Sequence, residues 1–267
     1  MRYGIAPARI RAIFISHLHG DHLYGLFPLL STLNLLGRKT PLPLFAPEPL
    51  GELLANVFRR LETELSYEIQ YTPVDTRKNC KIFENKTMEV WTIPLRHRVP
   101  AAGYLFREKE PELNVRKTAI ETYGLGVAQI VAAKRGEAIT LPDGRLLPNE
   151  VLTYRPYAPR SYAYCSDTLY SAKVARIVQG VDLLYHEATY AMAEKALARQ
   201  RGHSTTLQAA KVASMAGADK LLIGHFSSRY KDESLLETEA RTLFPNTFIA
   251  CEGKTFSIPL KRLQPEE

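Results

Sequence analysis

The sequence predicts an α/β fold, and three observations carry that prediction. Apolar, β-rich runs alternate with amphipathic helical patterns along the chain. Four of those runs end in a residue able to bind a metal, and α/β folds gather their sites outside the carboxyl ends of strands. The 267 residues are 45% hydrophobic, enough for an ordinary buried core in one large α/β domain or two small ones.

Taken in order, the first element is "RIRAIFISH", a β-like run ending at His17. It opens into "FISHLHGDHLYGL", where three histidines and an aspartate, His17, His19, Asp21 and His22, fall within six positions. Residues 51–65 set Leu53, Leu54, Val57, Phe58, Leu61 and Leu65 on one helical face. "MEVWTIPLRH" alternates Trp91, Ile93 and Leu95 and ends at His97. From Arg107 to Arg160 the alternation is interrupted by charge and turn residues, including a Pro-Asp-Gly turn, so this stretch reads as an insertion. "RSYAYCSD" then ends at Asp167, and residues 171–179 and 190–200 read as helices. Between those helices, "LLYHEATY" brings His186 and Glu187 to the end of another buried-looking run. His203 precedes a helix over 205–217, opened by a capping box of Thr205 with Gln208. "KLLIGH" ends at His225.

Composition narrows the classes. The residues before Phe14 lack the apolar run of a secretory signal, and no stretch approaches the roughly 18 apolar residues of a membrane helix, so a cytoplasmic protein is expected. Cys80, Cys165 and Cys251 are odd in number and far apart, which argues against a disulfide framework or a cysteine zinc site. The net charge of +7 is compatible with an anionic partner without demonstrating one.

The chemistry fits the spacing. At a strand end, His17 and His19 point the same way, and Asp21 and His22 follow across Gly20. His17, His19 and His97 suit one metal, and Asp21, His22 and His225 a second, with Asp167 as bridge. Imidazole with carboxylate favours zinc, with manganese or iron as alternatives. Two such metals, roughly 3.5–4 Å apart, generate a hydroxide at neutral pH and stabilise in-line displacement at phosphorus. Other readings stay open at this point: Asp167 as a helix cap, His225 as a core histidine, His97 in a structural or RNA-facing role. If Glu187 meets His203, the pair becomes a proton donor to a leaving alkoxide.

Together, "FISHLHGDHLYGLFPLL", "YCSDT", "LLYHEAT", "HSTT" and "IGHFSSRY" resemble the ribonuclease Z family of the metallo-β-lactamase superfamily, whose H-x-H-x-D-H signature "SHLHGDH" matches. The resemblance implies a single αββα sandwich domain over residues 1–267, a homodimer and two zinc ions. It assigns His17, His19, His97 and Asp167 to one zinc, and Asp21, His22, Asp167 and His225 to the other. Asp21 would orient or deprotonate the attacking water, and Glu187 and His203 would act at the leaving 3′ oxygen. The implied reaction removes the 3′ trailer from precursor tRNA, leaving a 3′-hydroxyl on the tRNA and a 5′-phosphate on the trailer. Residues 107–155 would be an exosite arm gripping the tRNA; the family's Gly-Pro step is absent there, where Gly124 and Gly126 stand in "GLGVAQI".

The start departs from the family's pattern. Only sixteen residues precede His17, Met1 reads as an internal methionine, and the expected sheet lacks strands the family places first. Two alternatives stand beside this reading: a metal-dependent phosphodiesterase or other hydrolase of the same superfamily acting on small substrates, and a truncated, inactive RNA-binding relative.

Overall fold

The computed structural model describes residues 3–263, so Met1 lies outside the described residues. They form two compact units. The first comprises the described residues through Glu84, with Val90–Phe106 and Ser161–Phe256. The second comprises Asn85–Glu89, Arg107–Arg160 and the described residues from Ser257.

In chain order the strands are β1 (Ile13–Phe14), β2 (Leu42–Ala46), β3 (Ile69–Pro73), β4 (Lys81–Glu84), β5 (Met88–Pro94) and β6 (Ala102–Glu108). The insertion supplies β7 (Asn114–Val115), β8 (Ile139–Thr140), β9 (Leu146–Leu147) and β10 (Thr153–Tyr154); then come β11 (Ser161–Cys165), β12 (Leu183–Glu187), β13 (Lys220–Gly224) and β14 (Thr247–Ile249). The helices are α1 (Gly20–Leu23), α2 (Leu26–Leu35), α3 (Pro49–Arg60), α4 (Lys117–Tyr123), α5 (Val127–Lys134), α6 (Asn149–Leu152), α7 (Ala172–Ile177), α8 (Lys195–Arg201), α9 (Thr206–Ala216) and α10 (Ser234–Arg241).

One sheet has the order β1-β2-β3, all parallel. Alternation along β2 decides its two faces. Leu42, Leu44 and Ala46 pack with Leu30 and Leu33 of α2 and Leu50 and Leu54 of α3, while Phe45 joins Val74 and Ala102 on the other side. Phe14 stacks on Phe45 at 4.8 Å and tilts against Tyr104 at 5.3 Å, so aromatic side chains fill the space between the two sheets. The second sheet runs β14-β13-β12-β11-β6-β5-β4, with β11 to β14 parallel. Ala163, Leu184, Leu221 and Ile223 there are covered by Val174 and Val178 from the α7 region and by the small residues Ala209, Ala210, Val212 and Ala213 of α9. Helices, sheet, sheet, helices is the αββα order.

The parallel register aligns the carboxyl ends: Cys165 pairs with His186 and Glu187 with Gly224. The expected capping box of α9 forms, Thr205 Oγ1 accepting from the Gln208 N–H and Gln208 Oε1 from the Thr205 N–H. The expected 190–200 helix is a short 3-10 turn, Met192–Glu194, followed by α8. β1 is shorter than the run that announced it. Pro7 opens a 3-10 turn over Pro7–Arg9, and only Ile15, whose N–H donates to Phe45 O, extends the ladder beyond Phe14.

The second unit has its own core of Ala119, Leu125, Ala133, Ile139, Leu141, Leu147 and Leu152. Strand pairs β7–β10 and β8–β9 are antiparallel. The Pro-Asp-Gly turn joins β8 to β9, with Gly144 at φ +86 and Asp143 Oδ1 accepting from the Arg145 N–H. All three cysteines are free thiols, and burial pushes that of Cys165 up to about 12. No helix among the described residues is long and apolar enough to cross a membrane.

Candidate metal centre

Every histidine and carboxylate named from the sequence, His186 apart, comes to one place in the first unit. His17 lies three residues beyond β1, His97 three beyond β5, Asp167 two beyond β11 and His225 one beyond β13. The loop carrying His17 is pinned to β6, since Ala102 N–H donates to Ser16 O and the Tyr104 hydroxyl to Ile15 O. His19, Asp21 and His22 follow in the turn into α1 and within it.

Asp167 is 3% exposed and stands between two histidine groups. Its Oδ2 lies 3.7 Å from Nε2 of both His17 and His97, and its Oδ1 lies 3.5 Å from Nε2 of His22 and 3.3 Å from Nε2 of His225. His97 Nε2 is 3.3 Å from His19 Nδ1, and His22 Nε2 is 3.4 Å from Asp21 Oδ2. Donor atoms of His17, His19, His97 and Asp167 all fall within 4.8 Å of one another, as do those of Asp21, His22 and His225.

The donor set fits a pair of divalent cations. His17 is fully buried, yet its Nε2 has no hydrogen-bond partner among the described residues and faces the cluster. His97 donates its Nδ1 proton to Gly202 O at 2.8 Å, which leaves the Nε2 lone pair toward the cluster. That contact requires glycine at 202: its φ is +82, and a Cβ there would stand 3.0 Å from His97 Nδ1. Burial, reinforced by neighbouring His22, pushes His17 down to about 4. Burial also lowers His22, and lowers His97 against the opposing pull of Gly202 O. Neutral imidazole is the ligand form. Asp167 is lowered too: burial resists, but His225, His22 and His17 prevail.

A second network abuts the first. Glu187 is completely buried and accepts five hydrogen bonds. Oε1 accepts from Thr168 N–H, Ser204 N–H and His203 Nδ1; Oε2 accepts from the Thr189 N–H and hydroxyl. Because the Thr189 hydroxyl donates to Glu187, its oxygen accepts from His225 Nδ1 at 2.9 Å, freeing His225 Nε2 toward Asp167. Burial disfavours charged His203, yet the hydrogen bond and charge of Glu187 outweigh it and raise its pKa. His203 Nε2 has no hydrogen-bond partner among the described residues. The cavity over the cluster is about 370 Å³ and is also lined by Arg98, Arg201 and Arg229.

Thr189, Gly202 and the backbone donors of Thr168 and Ser204 were not anticipated. Thr189 alone left a signal, standing two residues after Glu187 and so on the same side of an extended chain. His186, a buried neighbour of Glu187, faces away from the cluster: its Nδ1 donates to Glu187 O and its Nε2 has no partner among the described residues.

The profile of the Beta-lactamase superfamily domain matches residues 3–115. A ribonuclease Z of Bacteroides fragilis is 42% identical over 251 residues, covering 94% of this chain and 83% of the relative. The chain belongs to the ribonuclease Z family. A ribonuclease Z of Porphyromonas gingivalis is 43% identical over 244 residues, 91% of this chain and 80% of its own. The fold is shared with human tRNase Z, short form, at a TM-score of 0.68 and 22% identity, covering 97% of this chain and 83% of that one. A diphosphatase of the PhnP family is similar at a TM-score of 0.53 and 17% identity, covering 94% and 73%.

Proposed function

We propose that this chain is a metal-dependent endoribonuclease that removes the 3′ trailer from precursor tRNA, leaving a 3′-hydroxyl on the tRNA and a 5′-phosphate on the trailer. The observation that carries the reading is Asp167, set between two histidine groups in a chain 42% identical to a ribonuclease Z over 94% of its length. In this reading His17, His19, His97 and Asp167 hold one zinc ion, and Asp21, His22, Asp167 and His225 the other; manganese or iron are the alternatives. When bound, the cations supply an activated water at neutral pH and Lewis-acid stabilisation of charge on phosphate.

The remaining steps belong to the chain. Asp21, whose side chain is 72% exposed, orients the water and takes its proton. As the water oxygen adds to phosphorus, the bond to the 3′ oxygen breaks. His203, held through Nδ1 by Glu187, donates the Nε2 proton to that oxygen. Arg98, Arg201 and Arg229 neutralise the flanking phosphates.

Residues 107–155 act as the exosite arm, with exposed Lys117, Lys134, Arg135, Arg145 and Arg155 as phosphate contacts. The active form is a cytoplasmic homodimer, and sedimentation velocity tests the assembly.

The decisive experiment is cleavage of a 3′-extended precursor tRNA, with and without chelator, beside Asp21→Ala. A single cut near the discriminator base, lost with chelator and in the variant, establishes the reading and shows that residues 1–267 suffice. Two metals per chain without a cut would overturn the endonuclease reading, in favour of an inactive RNA-binding relative if precursor tRNA still binds and of a different substrate if it does not. Deleting residues 111–150 separates the runner-up: a hydrolase of small phosphodiesters keeps its rate, whereas precursor cleavage drops and loses part of its salt dependence.

A further inference from the structure

A second cavity of about 300 Å³ in the first unit meets the metal-centre cavity at His203, which lines both. Its other walls are Arg96, Leu169, Tyr170, Lys195, Arg199 and Gln208. α8 is divided between the two. Leu197 and Arg201, four apart and so on one helical face, line the metal-centre cavity, while Lys195 and Arg199, also four apart, line the second. The arginines flanking His97 are divided likewise, Arg98 to the first and Arg96 to the second.

No acidic residue lines the second cavity, and Arg96, Lys195 and Arg199 have no carboxylate partner among the described residues. Three unneutralised cations around one concavity suit a polyanion better than a neutral ligand. The wall also carries an aromatic ring: Tyr170, half-buried and fixed by its hydroxyl donating to Met215 Sδ. A volume at the lower end of small-ligand sites admits one unpaired nucleotide and not a duplex.

Direction follows from the position of His203. In the proposed reaction its Nε2 serves the leaving oxygen, which belongs to the nucleotide on the 5′ side of the cut. The strand that continues past His203 is therefore the retained one. We propose that this cavity is a nucleotide subsite for the last retained nucleotide, with Arg96, Lys195 and Arg199 on its 5′ phosphate and Tyr170 against its base. The inference rests on the endoribonuclease reading and deepens it.

The test uses the full, metal-loaded chain and two precursor tRNAs, one with a single-nucleotide trailer and one with a long trailer. The variants are Lys195→Gln with Arg199→Gln, and Tyr170→Ala; Arg60→Ala, exposed on α3 and lining neither cavity, controls for net charge. Bound metal per chain confirms that each variant folds. The expected result is a fall in kcat/KM of about ten-fold or more, carried mostly by KM and equal for both trailers. The log–log slope against salt should drop by about 0.7 for each cation removed. Unchanged kcat/KM in folded variants, or a fall confined to the long trailer, overturns the proposal while leaving the endoribonuclease reading intact. No cleavage by the unsubstituted chain removes both.

Discussion

Replacing Glu187 with glutamine keeps the shape of the side chain but removes the charge that raises the His203 pKa. Without it, burial prevails and the His203 pKa falls. The alkaline limb of the kcat/KM profile should then move to lower pH, and an unmoved limb would show that His203 is not the acid. Thr189 is a positioning residue, bound to Glu187 at 2.8 Å and to His225 at 2.9 Å. Thr189→Val should weaken zinc binding about 10–100-fold in competition with a chelator, and Thr189→Ser should restore it. The side chains that gather at the candidate metal centre announced themselves, because histidine and aspartate at the ends of apolar runs have few structural uses. The groups that orient them did not. Gly202 and His97 are 105 positions apart, and no local pattern tells a carbonyl that it will accept from an imidazole.

At the scale of elements, periodicity located helices better than it ended them. The apolar face expected over 51–65 stops being helical at Arg60, and Glu62 turns left-handed at φ 46. Of the expected face, Leu54, Phe58 and Leu65 pack on the core, Leu65 from a loop, whereas Leu53 and Leu61 are exposed. In the second sheet β6 beside β11 was not foreseen, because the insertion boundary at Arg107 cuts through it, whereas β12 and β13, buried on both faces, were legible as apolar runs. Ile223 on β13 is such a position, completely buried one residue from the end of its strand. Ile223→Ala should cost about 2–5 kcal/mol, read as a lower denaturant midpoint with an unchanged slope. A smaller loss would mean that the helices α7 and α9 collapse onto the space.

Across the whole molecule, stability should depend on pH through buried imidazole. His186 is fully buried and its pKa is lowered by that burial. The unfolded chain takes up a proton near the ordinary value of 6.5 that the folded chain refuses, so the contribution is present above pH 6.5 and lost as pH falls below it. His186→Leu should flatten the decline of the unfolding midpoint on acidification. An equally steep decline in the variant would assign it to the metal-centre histidines instead. Alternation and strand-end chemistry made the α/β class readable, and the sandwich came from the family resemblance. The second unit was read as an insertion, but its separate core was not foreseen. Its apolar residues are scattered among charges, and only the folded contacts gather Ala119, Ile139 and Leu152.

His225 sits at φ 62, a left-handed conformation that a histidine adopts only at a cost of roughly 1–2 kcal/mol and that glycine adopts freely. A lineage selected for durability alone would let this position drift to glycine. The metal-free His225→Gly chain should therefore melt no lower than its metal-free parent while binding less zinc, with strain released and a ligand forfeited by the same substitution. A clearly lower melting temperature would mean that the imidazole contributes to folding as well as to chemistry. On the strain argument, the residue that best reveals what this molecule is for is the one its architecture would sooner be without.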